Sequence, residues 1–172
     1  MFRITESEMC FGDFPDDNVF YMEKSSVYQT ELKAQGVKTC EFVLLRDSDI
    51  YYIEAKTSNP RELSSNSSLE QRKKYDEYIE DIVGKMRHSF CVFAAIKLQR
   101  QCQDELSQAL QNLDYSSKSI IPILVVKNAE PNWLAPIMEK LNSILRPELV
   151  IWNIPRIYVI NEDMARQRHL VK

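Results

Sequence analysis

The chain is poor in glycine, with only three in 172 residues, where ordinary usage of roughly 7% would give about a dozen. Gly12, Gly36 and Gly84 lie far apart. A G-x-G-x-x-G fingerprint and a Walker-type loop are therefore excluded, and with them phosphate binding by the amides of a glycine-rich turn. Two histidines, His88 and His169, do not furnish a multi-histidine zinc site. The four cysteines (Cys10, Cys40, Cys91, Cys102) form no C-x-x-C pair, and a chain of this length needs no disulfide staples. They are expected to be small core fillers. No run approaches 18 consecutive apolar residues, which speaks against a membrane span. MFRITESEMCFGDF has no apolar stretch of the secretory kind, so a reduced cytoplasm is the expected compartment. No internal repeat is present.

What is present is ordinary for a folded chain: 44% hydrophobic, 27% charged and 10% aromatic residues, with a formal charge of −3. The length suits one domain over 1–172. The acidic balance weighs against nucleic acid as a partner. Its veto is softened by Arg146 to Lys172, where five basic residues face three acidic ones.

The pattern along the chain alternates. Pro15-Asp16-Asp17 precedes an expected helix from about Asn18 to Gln35, with Gly36 as its left-handed cap. Thr39–Leu45 and Ile50–Lys56 read as strands around the polar turn Arg46-Asp47-Ser48-Asp49. Asn59–Ser68 reads as a loop, and Ser67-x-x-Glu70 as a capping box opening a helix. The apolar stripe of that helix is Tyr75, Tyr78, Ile79, Ile82, Val83 and Met86. Phe90–Ile96 then reads as a further apolar run of the sheet and Gln101–Leu113 as a polar helix. Ile120–Val126 follows as a strand, Trp133–Leu145 as a helix, and Ile157–Ile160 as a last strand. This order implies an α/β fold, a mixed sheet flanked by helices.

The chemistry concentrates in Val37–Ser58, VKTCEFVLLRDSDIYYIEAKTS. Alternation along a strand puts Tyr52, Glu54 and Lys56 on one face and Tyr51, Ile53 and Ala55 on the other. A hairpin turn of two or four residues pairs Leu45 with Ile50 and sets Glu41 opposite Glu54. Opposed carboxylates repel, so a cation is expected between them. Lys56 is one candidate, and a divalent metal on hard oxygen ligands, Mg²⁺ or Mn²⁺, is another.

An acidic residue on one strand and E-x-K at the end of its partner, here Glu41 and Glu54-Ala55-Lys56, resemble the core of the PD-(D/E)XK nuclease superfamily. The resemblance spans about residues 18–90. It departs from the common pattern in having Cys40-Glu41 where many members have Pro-Asp; glutamate also binds metal, on a longer arm. The resemblance implies a restriction-endonuclease-like core beginning with a helix and then a β-hairpin, and a Mg²⁺- or Mn²⁺-dependent nuclease acting on DNA or other nucleic acid. Glu41 and Glu54 would hold the metal with the Ala55 backbone carbonyl, and Lys56 would position the attacking water. The superfamily often adds an acid from the preceding helix. Glu41 lies about 16 Å beyond Gly36 along a strand, and a helix returns that distance near position 25. Glu23, aligned with Phe20 and Val27, is therefore preferred over Glu31. Gln71-x-x-x-Tyr75 matches a Q-x-x-x-Y found after E-x-K in one branch, where such residues support the site or contact substrate.

Plainer readings stand beside these. Glu41 and Glu54 also read as a solvated pair held apart by Lys38 or Lys56, and Glu23 as a surface acid. Gln71 also reads as a first-turn polar residue, Tyr75 as core, and His88 as exposed or capping at a helix end. The run Arg72-Lys73-Lys74 reads as a solvated face balanced by Asp76, Glu77, Glu80 and Asp81. Trp133 and Trp152 read as packing. The alternative function is an inactive nuclease-fold module that binds a partner, and a third reading is a phosphohydrolase with a deep small-substrate pocket. The apolar segment Leu149–Ile160 would serve either the core or a homodimer interface.

Overall fold

The computed structural model describes residues 1–61 and 63–172. Two antiparallel strands come first, β1 (Phe2–Glu6) and β2 (Met9–Phe14). Ser7 and Glu8 join them with φ of 48° and 59°, the positive values that a tight two-residue hairpin turn requires. A five-stranded sheet follows in spatial order β3 (Val19–Phe20), β4 (Phe42–Arg46), β5 (Asp49–Lys56), β6 (Ser119–Val126), β7 (Tyr158–Asn161). The pairs β3–β4 and β4–β5 are antiparallel, and β5–β6 and β6–β7 are parallel. The mixed sheet flanked by helices is thus observed. The helices are α1 (Leu69–Lys97), α2 (Gln108–Gln111), α3 (Pro131–Ile144), α4 (Arg146–Ile151) and α5 (Glu162–Gln167).

Apolar side chains cover both faces of this sheet. On one face Tyr52, Ile50, Val43 and Leu124 pack with Ile79, Ile82, Met86, Phe90 and Phe93 of α1 and with Leu134, Ile137 and Leu141 of α3. On the other, Phe42, Leu44, Ile53, Ala55 and Val125 meet Ile4, Met9 and Phe11 of the β1–β2 hairpin and Ala165 of α5. β6 lies between two parallel partners, which explains its nearly unbroken SIIPILVV sequence.

Several expectations are corrected. The Asn18–Gln35 helix begins later: Val19–Phe20 pair with Val43 and Leu44 as a sheet edge, a 3₁₀ turn spans Met22–Lys24, and helical backbone runs over 26–35. Apolar Val19 and Phe20 gain more by joining the sheet than by starting a surface helix. Gly36 does close the segment, at φ 74°. A hairpin and an edge strand thus precede the helical segment, which leads into the β4–β5 hairpin. The capping box sits one residue later, Ser68 with Gln71 rather than Ser67 with Glu70. Phe90–Ile96 is no strand: α1 runs through it for 29 residues, about 43 Å. Phe90, Phe93 and Ile96 continue the stripe of Ile82, Val83 and Met86 at helical spacing, and Ala94-Ala95 favour helix. His88 is consequently inside a helix. Of the expected polar helix Gln101–Leu113 only Gln108–Gln111 forms. Among the cysteines only Cys40 is buried; Cys91 and Cys102 are exposed. The loop expected over Asn59–Ser68 is irregular at its described positions, and Glu62 lies outside the described residues.

Candidate active site

The hairpin turn is the even one, with Arg46 paired to Asp49 and Leu45 to Ile50. Regular pairing ends at Phe42 and Ile53. The Glu41 amide then donates to the Ile53 carbonyl at 3.0 Å, one step short of strict opposition to Glu54. Both carboxylates still point toward α1, and both are buried: their side chains are 6% and 0% exposed.

The cation between them is Lys85 of α1, which the sequence reading missed. Its Nζ lies 3.4 Å from Glu41 Oε1 and 2.8 Å from Glu54 Oε1, and donates to Glu54 Oε2 at 3.1 Å. Lys56 stands 3.3 Å from Glu54 Oε1 and 2.9 Å from Asp81 Oδ2. Lys38 takes the other Asp81 oxygen at 2.8 Å. Asp81 therefore does not belong to a solvated acidic face. Asp81, Lys85 and Ser89 recur every four residues along α1 and so look the same way. Ser89 Oγ accepts from the Cys40 amide at 2.7 Å, and His88 Nδ1 from the Lys38 amide at 3.0 Å. These two bonds fix the entry to β4, where Glu41 stands.

Glu23 arrives from the 3₁₀ turn after β3. Its amide donates to the Glu41 carbonyl at 3.2 Å, and its carboxyl group meets that of Glu41. Glu6, at the end of β1, completes a trio. One carboxylate oxygen each from Glu6, Glu23 and Glu41 lies within 4.8 Å of the others. The Tyr21 hydroxyl donates to Glu6 Oε1. Glu41 Oε2 is buried without a hydrogen-bond partner.

Burial raises the Glu41 carboxyl to about 9, helped by the Glu23 contact and the Glu54 charge. Glu23 moves the other way, lowered by its contact with the Glu41 carboxyl. Glu54 is pushed up to about 7 by burial, against the pull of Lys85 and Lys56. Burial alone would lower Lys85, but the charges of Glu54 and Glu41 raise it above the ordinary lysine range. Groups displaced in opposite directions within one cluster occur in acid–base and metal sites and in buried ion-pair networks alike.

Glu23, Glu41, Glu54 and Lys56 thus converge at the carboxyl end of β5, the edge of a parallel sheet where ligands commonly bind. Ala55 is paired with Val125 of β6 and its side chain packs in the second core. Gln71 belongs to the helix cap and Tyr75 to the core. The Gln71 side chain accepts from the Ser68 amide at 2.8 Å as the reciprocal half of the capping box, and Tyr75 is buried among core side chains. Beside the cluster, Lys127 and Asn128 continue β6, with Lys127 3.0 Å from Glu8. They border a cleft of about 400 Å³ lined also by Asn161, Glu162 and Asp163. A larger cavity of about 650 Å³ lies at the opposite end of the strands, around Asp49, Tyr115 and Ser119.

The three added members, Glu6, Asp81 and Lys85, had faint signals. Phe2, Ile4 and then Met9, Phe11 alternate about Ser7-Glu8 in hairpin fashion. Asp81 and Lys85 flank the apolar stripe of α1 at four-residue spacing. Among the described residues no helix is long and apolar enough to cross a membrane. No family model, curated protein or solved structure matches the chain.

Proposed function

We propose that the chain hydrolyses phosphodiester bonds of nucleic acid, DNA foremost, with a divalent cation held by its carboxylates, in the manner of the PD-(D/E)XK nucleases it resembles. The observation that carries this reading is Glu41, whose Oε2 is buried without a hydrogen-bond partner and whose carboxylate lies close to two further acids, Glu6 and Glu23. Carboxylates crowded in this way fit Mg²⁺ or Mn²⁺, which prefer hard oxygen donors. Such a cation would supply positive charge for the developing phosphorane-like transition state. Glu41 and Glu23 would hold it, with Glu54 behind them. The strand order, in which an antiparallel hairpin carries the E-x-K and a helix then crosses to a parallel strand, supports a restriction-endonuclease-like core.

Lys56 is the group placed to orient a water. Its side chain is a quarter exposed, and Glu54 and Asp81 hold its ammonium from two sides. Asp81 itself is tied back by Lys38, so this lysine is held rather than free to swing. Positioning a nucleophile in this way contributes roughly 10²–10⁴ in rate.

One observation favours the inactive binding module instead: Lys85 already supplies the cation between Glu41 and Glu54. Incubating the protein with supercoiled plasmid and single-stranded DNA, with and without Mn²⁺, separates the two. Mn²⁺-dependent cleavage that falls at least about 100-fold in Lys56→Ala is expected. Cleavage unaffected by Lys56→Ala would overturn the nuclease reading, and no cleavage of either substrate would favour the binding module.

A further inference from the structure

Resting on the metal-dependent reading above, we propose that the site takes one divalent cation and not two. The cation sits on Glu6, Glu23 and Glu41, and Lys85 permanently fills the second seat between Glu41 and Glu54.

Two-cation hydrolases hold their ions about 3.5–4 Å apart, bridged by a shared carboxylate. Among the described residues Glu41 is the carboxylate placed to bridge, since it lies near Glu23 and Glu6 and shares Lys85 with Glu54. The Glu54 side is filled, because an ion there would have to stand where Lys85 Nζ does, 2.8 Å from Glu54 Oε1 and 3.4 Å from Glu41 Oε1. Lys85 is itself largely buried, its side chain 14% exposed. Glu41 Oε1 is the oxygen turned to Lys85, its buried Oε2 has no hydrogen-bond donor, and the nearby oxygens of Glu23 and Glu6 are all acceptors when ionised.

Charge agrees with this count. With every carboxyl ionised, as cation binding requires, five carboxylates (Glu6, Glu23, Glu41, Glu54, Asp81) meet three ammonium groups (Lys38, Lys56, Lys85). The excess of two negative charges is that of one divalent ion. Lys24 and Lys33 act on Glu23 only from exposed positions. The third ligand would come from the β1–β2 hairpin, an element outside the span that carries the nuclease resemblance. Tyr21 would orient Glu6 through its hydroxyl, and Lys127 would anchor the hairpin tip through Glu8.

The test is calorimetric titration of the full chain with MnCl₂ at mildly alkaline pH, alongside the plasmid assay. Wild type is expected to bind one Mn²⁺, and Glu6→Gln to weaken that binding about tenfold or more. Lys85→Met, which opens the second seat, is expected to bind two. Because Lys85→Met leaves buried carboxylates facing each other, circular dichroism checks its fold, and Glu6→Gln on the hairpin gives an independent arm. Two ions in wild type, or one ion bound equally well by Glu6→Gln, would overturn the proposal while leaving the nuclease reading intact. A single ion in folded Lys85→Met would overturn the role of Lys85. No Mn²⁺ binding together with no cleavage would overturn both.

Discussion

Replacing Lys85 by methionine keeps most of the aliphatic stem and removes the ammonium that holds Glu41 and Glu54 together. The side chains involved are 14%, 6% and 0% exposed, so the pair belongs to the buried class, in which removing one partner costs about 3–5 kcal/mol. Glu54 keeps a second ammonium, Lys56, at 3.3 Å, which places the expected loss near the lower end, about 3 kcal/mol. For a chain of this size that corresponds to a melting temperature lower by roughly 6–12 °C. Urea denaturation followed by circular dichroism, at an alkaline pH of about 9.5 where both carboxyls are ionised, reads the difference. The loss should shrink when Glu41→Gln is added, because the neutral amide no longer needs the counter-charge. A loss under about 0.5 kcal/mol would place the cluster with exposed ion pairs and refute the buried-cation reasoning. An undiminished loss in the double variant would show that Lys85 acts by packing alone.

Other outcomes follow from the same geometry. Glu41 and Glu54 have folded pKa values raised above those of an unfolded chain, to about 9 and about 7. The folded state therefore binds more protons, and metal-free stability should fall as pH rises from about 5 to 9, by at most about 1.4 kcal/mol per pH unit for each group. A flat or rising profile from denaturation at several pH values would contradict this. Mn²⁺ requires the ionised carboxylates, so the melting-temperature gain it gives should grow over the same range. Ser68→Ala should cost about 1 kcal/mol through the lost cap. Gln71→Ala should lower stability slightly and leave any cleavage rate unchanged, and a large fall in rate would instead put Gln71 in the site.

The sequence made the hairpin and its consequences legible because they follow from a period of two. An even turn between Leu45 and Ile50 dictates which side chains share a face, and Glu41, Glu54 and Lys56 meet accordingly. Glu23 was reached by a helical rise, although the backbone there is a 3₁₀ turn after an edge strand; the two geometries bring the residue to nearly the same level. What periodicity could not show was the source of the compensating cation. Asp81 and Lys85 stand among acidic and basic neighbours on a charged helix, and only the seating of α1 across β4 and β5 turns them inward. Phe90–Ile96 was ambiguous for a related reason, since a short apolar run fits a buried strand and a buried helix equally well. The hairpin that brings Glu6 carries only short, bulged alternation, with a register shift between Phe2 and Ile4.

The most direct test of the account is a crystal soaked in MnCl₂ and measured for anomalous scattering. The account predicts one Mn²⁺ peak within about 2.5 Å of carboxylate oxygens of Glu41 and Glu23, with Lys85 still between Glu41 and Glu54. A protein with no peak at these carboxylates, or with manganese bound only elsewhere on its surface, would contradict it.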